Sequence, residues 1–187
     1  MTTEAPDNDG LLTETPSPAP VHDDYGVSDG RWLKIDWSER IRQVTVDSAL
    51  GQTPVSYVDQ GEGAPILLVH GLGGSWRNWL ENIPFLADSH RVVALDLPGF
   101  GLSPMPTEEI SMSAYGDLVL RFADAVGLSP ETFLIGHSMG GFISTEAVTS
   151  APERFSRLSL VSAAGISFAT ISGPRKSLTA AIVKGMI

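Results

Sequence analysis

The chain has 187 residues, 42% of them hydrophobic, a formal net charge of −10 and no cysteine. That length suits one domain with a sizeable core, and the acidic balance argues against nucleic-acid or anionic-membrane partners, because phosphate binding needs clustered Lys and Arg. The absence of cysteine removes disulfides, thiolate catalysis and Cys-based zinc sites from consideration.

In chain order, residues 1–30 come first, with seven Asp or Glu, no Lys or Arg, and Pro6, Pro16, Pro18 and Pro20, leaving the remaining residues close to −3. So few large apolar groups cannot offset the cost of ordering the segment, which predicts a disordered acidic tail. No basic region followed by an apolar run marks a secretory leader, and the apolar stretches Leu158–Ser172 and Leu178–Ile187 are interrupted and shorter than the roughly 20 residues of a membrane span. The expectation is a cytoplasmic protein without a membrane span.

Folded sequence is expected from near Trp32. Ile41–Asp47 and Pro54–Asp59 alternate apolar and polar residues around Ala49-Leu50-Gly51-Gln52, as two antiparallel strands and a short loop would. Gly61-Glu62-Gly63 breaks the chain before Pro65–Val69, a continuous apolar run typical of a strand buried on both faces. Further strands are predicted at Arg91–Leu95, Thr132–Ile135 and Arg157–Val161. Between them, Trp76–Leu86 (N-capped by Ser75), Ser113–Val126 (closed by Gly127) and Ser138–Ser150 carry helical spacing. Strand and helix in alternation imply parallel crossovers, hence an open, mostly parallel α/β sheet with helices on both faces.

Three strand-to-helix turns carry chemistry. Gly136-His137-Ser138-Met139-Gly140 fits the G-x-S-x-G nucleophile elbow and directly follows a predicted strand. A serine hydroxyl is a poor nucleophile at neutral pH, so it has to be held clear of the sheet within reach of a base and of backbone N–H groups that can meet an oxyanion. His70-Gly71-Leu72-Gly73-Gly74 is a glycine-rich turn of the kind that exposes such N–H groups. By itself it reads slightly better as a tight turn; beside the elbow it reads as half of an oxyanion hole. Asp96-Leu97-Pro98-Gly99-Phe100-Gly101-Leu102-Ser103 follows the next strand.

In identity, order and strand placement these motifs resemble the α/β-hydrolase superfamily over roughly Ile41 to Ile166, and the elbow is similar to the esterase, lipase and cofactor-free haloperoxidase branch. The resemblance implies Ser138 as catalytic nucleophile, the N–H groups of Leu72 and Met139 as oxyanion donors, Gly71, Gly73, Gly136 and Gly140 as loop and elbow glycines, and the Asp96 loop as site floor, with Asp96 itself not the catalytic acid. It implies carboxylic ester hydrolysis on a small-molecule substrate, with no cofactor. Haloalkane dehalogenases and epoxide hydrolases of the family carry Asp at the elbow, so Ser138 argues against both. Carbon–carbon bond hydrolases share the serine and remain an alternative.

The family order is serine, then acid, then histidine, yet no His or Asp follows Ser138, and Glu146 and Glu153 fall in or just after its helix. This predicts the N-terminal portion of a hydrolase, truncated before the last strands, with a core over 31–170 and the start of a lid over 171–187; a non-catalytic binding fragment is the other alternative. His70 and His137 read as structural, His22 and His90 as solvated, and no histidine spacing suits a metal site. Trp76 and Trp79 read as core packing, with Trp76 near enough to the glycine loop to line a pocket mouth.

Overall fold

A computed structural model describes residues 30–164. Most of the tail expected over 1–30 and all of the lid segment expected over 171–187 lie outside those residues.

Six strands form one sheet in the spatial order β1-β2-β4-β3-β5-β6. They are β1 Ile41–Ser48, β2 Gly51–Gln60, β3 Ala64–Val69, β4 His90–Leu95, β5 Phe133–His137 and β6 Arg157–Val161. β1 and β2 make an antiparallel hairpin, β2 runs antiparallel to β4, and β3 pairs in parallel with β4 and β5, as β5 does with β6. The parallel crossovers contain α1 Asn82–Leu86, α2 Met112–Ala125 and α3 Met139–Ser150. An open, mostly parallel α/β sheet is therefore the observed architecture.

Two apolar layers cover the sheet. On one face Leu67, Val69, Val93, Leu95 and Leu134 pack under Leu118, Val119 and Phe122 of α2 and Ile143 and Ala147 of α3. On the other, Val58, Ile66, Leu68, Val92 and Ala94 pack under Trp76, Trp79 and Ile83. β3 and β4 contribute to both layers, which is why they read as unbroken apolar runs.

The hairpin turn is tighter than the sequence suggests, with Ser48 paired to Gly51 and only Ala49 and Leu50 between them. Leu50 is fully buried, and the Ala49 N–H donates to Asp117 of α2 at 2.8 Å, so the tip is docked on the helix. The predicted helix Trp76–Leu86 is two pieces, a 3-10 turn Trp76–Trp79 and α1. Pro84 is the physical reason: it has no N–H for the Leu80 carbonyl, and its ring crowds that carbonyl. The start is as expected, since Ser75 Oγ accepts the Arg77 N–H (3.3 Å) and Asn78 Oδ1 accepts the Ser75 N–H (2.8 Å), a reciprocal capping box. Ser111 caps α2 by accepting the Ala114 N–H at 3.1 Å, and Gly127, at φ +67°, ends it.

At the opposite end of the sheet from the strand C-termini, Arg91 at the start of β4 makes a bidentate pair with Asp59 of β2 (2.7 and 3.1 Å). It also donates to the Val126 carbonyl at 3.0 Å, tying the sheet to the end of α2. The Asp59 carboxylate holds its guanidinium pKa above the ordinary value. β6 has β5 as its partner and forms the sheet edge among the described residues, with Leu160 and Val161 about 40% exposed.

Candidate active site

Register places the ends of the parallel strands side by side: Val69 opposite Leu95 and Gly136, and His137 opposite Val161. The turns after β3, β4, β5 and β6 therefore meet at one edge, where open α/β sheets bind ligands.

Ser138 stands at the N-terminus of α3 with φ +51° and ψ −116°, conformational space that side-chain-bearing residues avoid. Its neighbours enforce that geometry. The Ser138 N–H donates to the Val161 carbonyl (3.0 Å), and the Ser138 carbonyl accepts from the N–H groups of Gly141 (3.0 Å) and Ala164 (2.9 Å). A strained residue persists only where surrounding bonds over-determine it. Gly140 lets α3 begin against β3: a Cβ there would overlap the carbonyl oxygens of Val69 and His70. A Cβ on Gly136 would fall 2.5 Å from the Gly140 carbonyl oxygen, so both elbow glycines exist for close packing.

The loop after β3 turns sharply at Gly71–Gly74, with the Gly74 N–H donating to the Gly71 carbonyl (3.1 Å) and Gly73 at φ +69°. Gly71 lies against the elbow, since a Cβ on it would be 3.0 Å from Ser138 Cβ and from His137 Nδ1. Among the described residues no backbone carbonyl accepts the N–H of Leu72 or of Met139. The first belongs to a turn tip and the second to the first turn of a helix, where N–H groups have no intrahelical partner. Among the described residues, these two N–H groups, from the loop after β3 and from the start of α3, have no backbone acceptor.

His70 is buried and spent. Its Nε2 accepts the Leu97 N–H (2.9 Å), so the hydrogen sits on Nδ1, which donates to the Gly71 carbonyl (2.7 Å). Burial holds its pKa below 6.5. The neutral ring is a strut between the loops after β3 and β4. Asp96 is a second strut: its carboxylate accepts the N–H groups of Trp76 (2.7 Å) and Leu102 (2.8 Å), while its own N–H donates to Ser56. Gly101, at φ +55°, lies so close that a Cβ would overlap this carboxylate. With each oxygen accepting a backbone N–H, Asp96 orders the loop.

Of the other described histidines, one lies beside the elbow and one does not. His137 packs edge-on to Trp79 (6.5 Å between centroids), and His90 begins β4 at the far end of the sheet. Trp76 is 1% exposed and belongs to the core, not to a pocket mouth. Among the described residues no cluster of His, Cys, Asp or Glu suits a metal ion, and no helix is long and apolar enough to cross a membrane.

Sequence reasoning missed the cavity beside the donors. It measures about 250 Å³, and Leu72, Phe100, Met105, Ile110, Met112 and Met139 are among its walls. Tyr115 closes its floor; its hydroxyl donates to the Pro98 carbonyl (2.7 Å), and burial pushes its pKa up to about 12. Met105 and Ile110 lie in a stretch without regular structure, so no periodicity pointed to them. A larger open groove of about 620 Å³, lined by Arg40, Arg42, Asp59 and Arg91, lies at the other end of the strands. It is remote from Ser138 and holds none of the residues described above as nucleophile or oxyanion donor.

Residues 64–179 match a family described as alpha/beta hydrolase fold. The chain is 42% identical over 104 residues to the dihydrolipoyllysine-residue acetyltransferase component of the acetoin cleaving system of Pseudomonas putida, covering 56% of this chain and 28% of that protein. It is 36% identical over 119 residues to a 2-hydroxymuconate semialdehyde hydrolase of a Pseudomonas species, covering 62% of this chain and 42% of the other. Among solved structures, a thermophilic esterase from Thermogutta terrifontis superposes with a TM-score of 0.61 at 30% identity, covering 64% of this chain and 44% of that one. The chain spans less than half the length of each of these proteins.

Proposed function

The chain belongs to the α/β-hydrolase family, and from that premise we propose that it carries the nucleophile and oxyanion hole of a serine hydrolase acting on carboxylic esters through an acyl-enzyme. The observation that carries the reading is the backbone of Ser138: a non-glycine residue held at φ +51° on a helix N-terminus, beside two N–H groups without backbone partners. In this reading Ser138 Oγ attacks the ester carbonyl, the N–H groups of Leu72 and Met139 hold the oxygen as it becomes anionic, and the ester C–O bond breaks, the serine proton passing through water to the departing alcohol oxygen. Among the described residues no histidine hydrogen-bonds to the Ser138 hydroxyl, and the 187 residues hold no histidine after it.

That shortage of a base sets the test. Oxyanion binding and positioning alone leave roughly 10³–10⁴-fold catalysis over water when triad members are missing, so the 187-residue chain should acylate slowly and not turn over measurably. Prolonged incubation with a nitrophenyl acyl ester, followed by peptide mapping, should find one acyl group on Ser138 and none after Ser138→Ala. Acylation scattered over surface lysines, with Ser138 unmodified, would reject the assignment. The similarity to 2-hydroxymuconate semialdehyde hydrolase keeps carbon–carbon bond hydrolysis as a second reading, because the same nucleophile and oxyanion hole would serve it.

A further inference from the structure

Resting on the ester-hydrolase reading, we infer that the cavity beside Ser138 receives the acyl side of the substrate, and that this acyl group is an uncharged, flexible aliphatic chain of up to roughly eight carbons. Leu72 and Met139, the two residues whose N–H groups the reading assigns to the oxyanion, both line the cavity, and a chain attached to a carbonyl held by them is adjacent to it. The acyl group stays on the serine after the alcohol leaves, so a recessed chamber suits the retained half of the ester.

Its chemistry is selective. Among the described residues no charged side chain lines it, and the hydroxyl of Tyr115 is committed to the Pro98 carbonyl. A carboxylate carried into it would lose water and gain no partner. Met105, Met112 and Met139 supply thioethers, which adapt to a flexible chain. At about 250 Å³ the chamber holds roughly eight groups of about 30 Å³, a water's share of the liquid, which sets the length limit. Met105, half exposed at the rim, is the residue through which selectivity can be altered without touching the core.

The experiment uses the full chain with ¹³C-labelled methionine methyl groups. The five methionines are Met1, Met105, Met112, Met139 and Met186, and the three that line the cavity are the reporters. The probes are methyl ketones, which present a carbonyl and a chain but no leaving group. Titration with 2-pentanone, 2-heptanone and 2-nonanone should shift the methyl signals of Met105, Met112 and Met139, with affinity rising about threefold to fourfold per methylene and the gain stopping by 2-undecanone. The acid 6-oxoheptanoate, which is 2-heptanone with its terminal methyl replaced by a carboxylate, should bind at least tenfold more weakly.

Met105→Lys should raise the affinity for 6-oxoheptanoate relative to 2-heptanone by tenfold or more, and Met112→Ala should extend the length limit by two or three methylenes. Equal affinity for ketone and acid in the unaltered chain would overturn the proposal. So would methyl signals of Met105, Met112 and Met139 that do not shift, or a length limit unmoved by Met112→Ala. Because the ketones cannot acylate Ser138, loss of these shifts speaks against the chamber alone, and an unacylated Ser138 speaks against the nucleophile alone.

Discussion

Replacing Ser138 with glycine should make the protein more stable than replacing it with alanine, the reverse of the usual order. Both variants lose the hydroxyl; they differ in the Cβ held at φ +51°, ψ −116°. A non-glycine residue in such sparsely populated space costs about 1–3 kcal/mol. Glycine relieves that strain but gives back about 0.5–1 kcal/mol through the greater freedom of its unfolded chain. The net is about 1 kcal/mol in favour of glycine, or about 3 °C in Tm for a domain of this size. The bonds from the Ser138 N–H to Val161 and from the Ala164 N–H to the Ser138 carbonyl keep the backbone in place, so the gain comes from strain release and not from a rearranged turn. Parallel urea and thermal melts of Ser138→Ala and Ser138→Gly decide it. A glycine variant as stable as the alanine variant, or less so, would show that the elbow stores no strain.

Two further outcomes follow from the struts around the site. Gly140→Ala puts a methyl group into the Val69 and His70 carbonyl oxygens and must push α3 off β3; a loss of about 3 kcal/mol in urea unfolding is expected, and a loss below about 1 kcal/mol would mean the helix shifts freely. His70 is held neutral, with its pKa below 6.5, so across that interval the unfolded chain binds a proton that the folded chain does not. Its contribution is present above 6.5 and is lost as pH falls toward the folded value. The urea midpoint should therefore drop between pH 7 and 5, and His70→Gln should flatten that drop; an unchanged slope would place the titrating group elsewhere.

Much of the fold was legible in local chemistry. β3 and β4 read as strands because each contributes to both apolar layers, and the Ser75 cap reads as a helix start because its side chain satisfies an N–H that the helix itself leaves unpaired. The elbow and the two glycine-rich turns were visible because close backbone packing restricts residue choice at fixed spacing: only glycine fits at 136 and 140. The break in the helix near Trp76 was legible too, in Pro84, though helical spacing outweighed it. What the sequence could not determine is which groups meet at a distance. His70 and Leu97 lie 27 positions apart, and Trp76 and Asp96 20; the bonds between them make His70 and Asp96 loop struts, because pairing β3 with β4 brings their C-terminal turns together. The apolar chamber is likewise a product of tertiary structure, since Leu72, Met105, Ile110, Met112 and Met139 share no period in the chain. Only the convergence of loops at the strand ends sets them around one space.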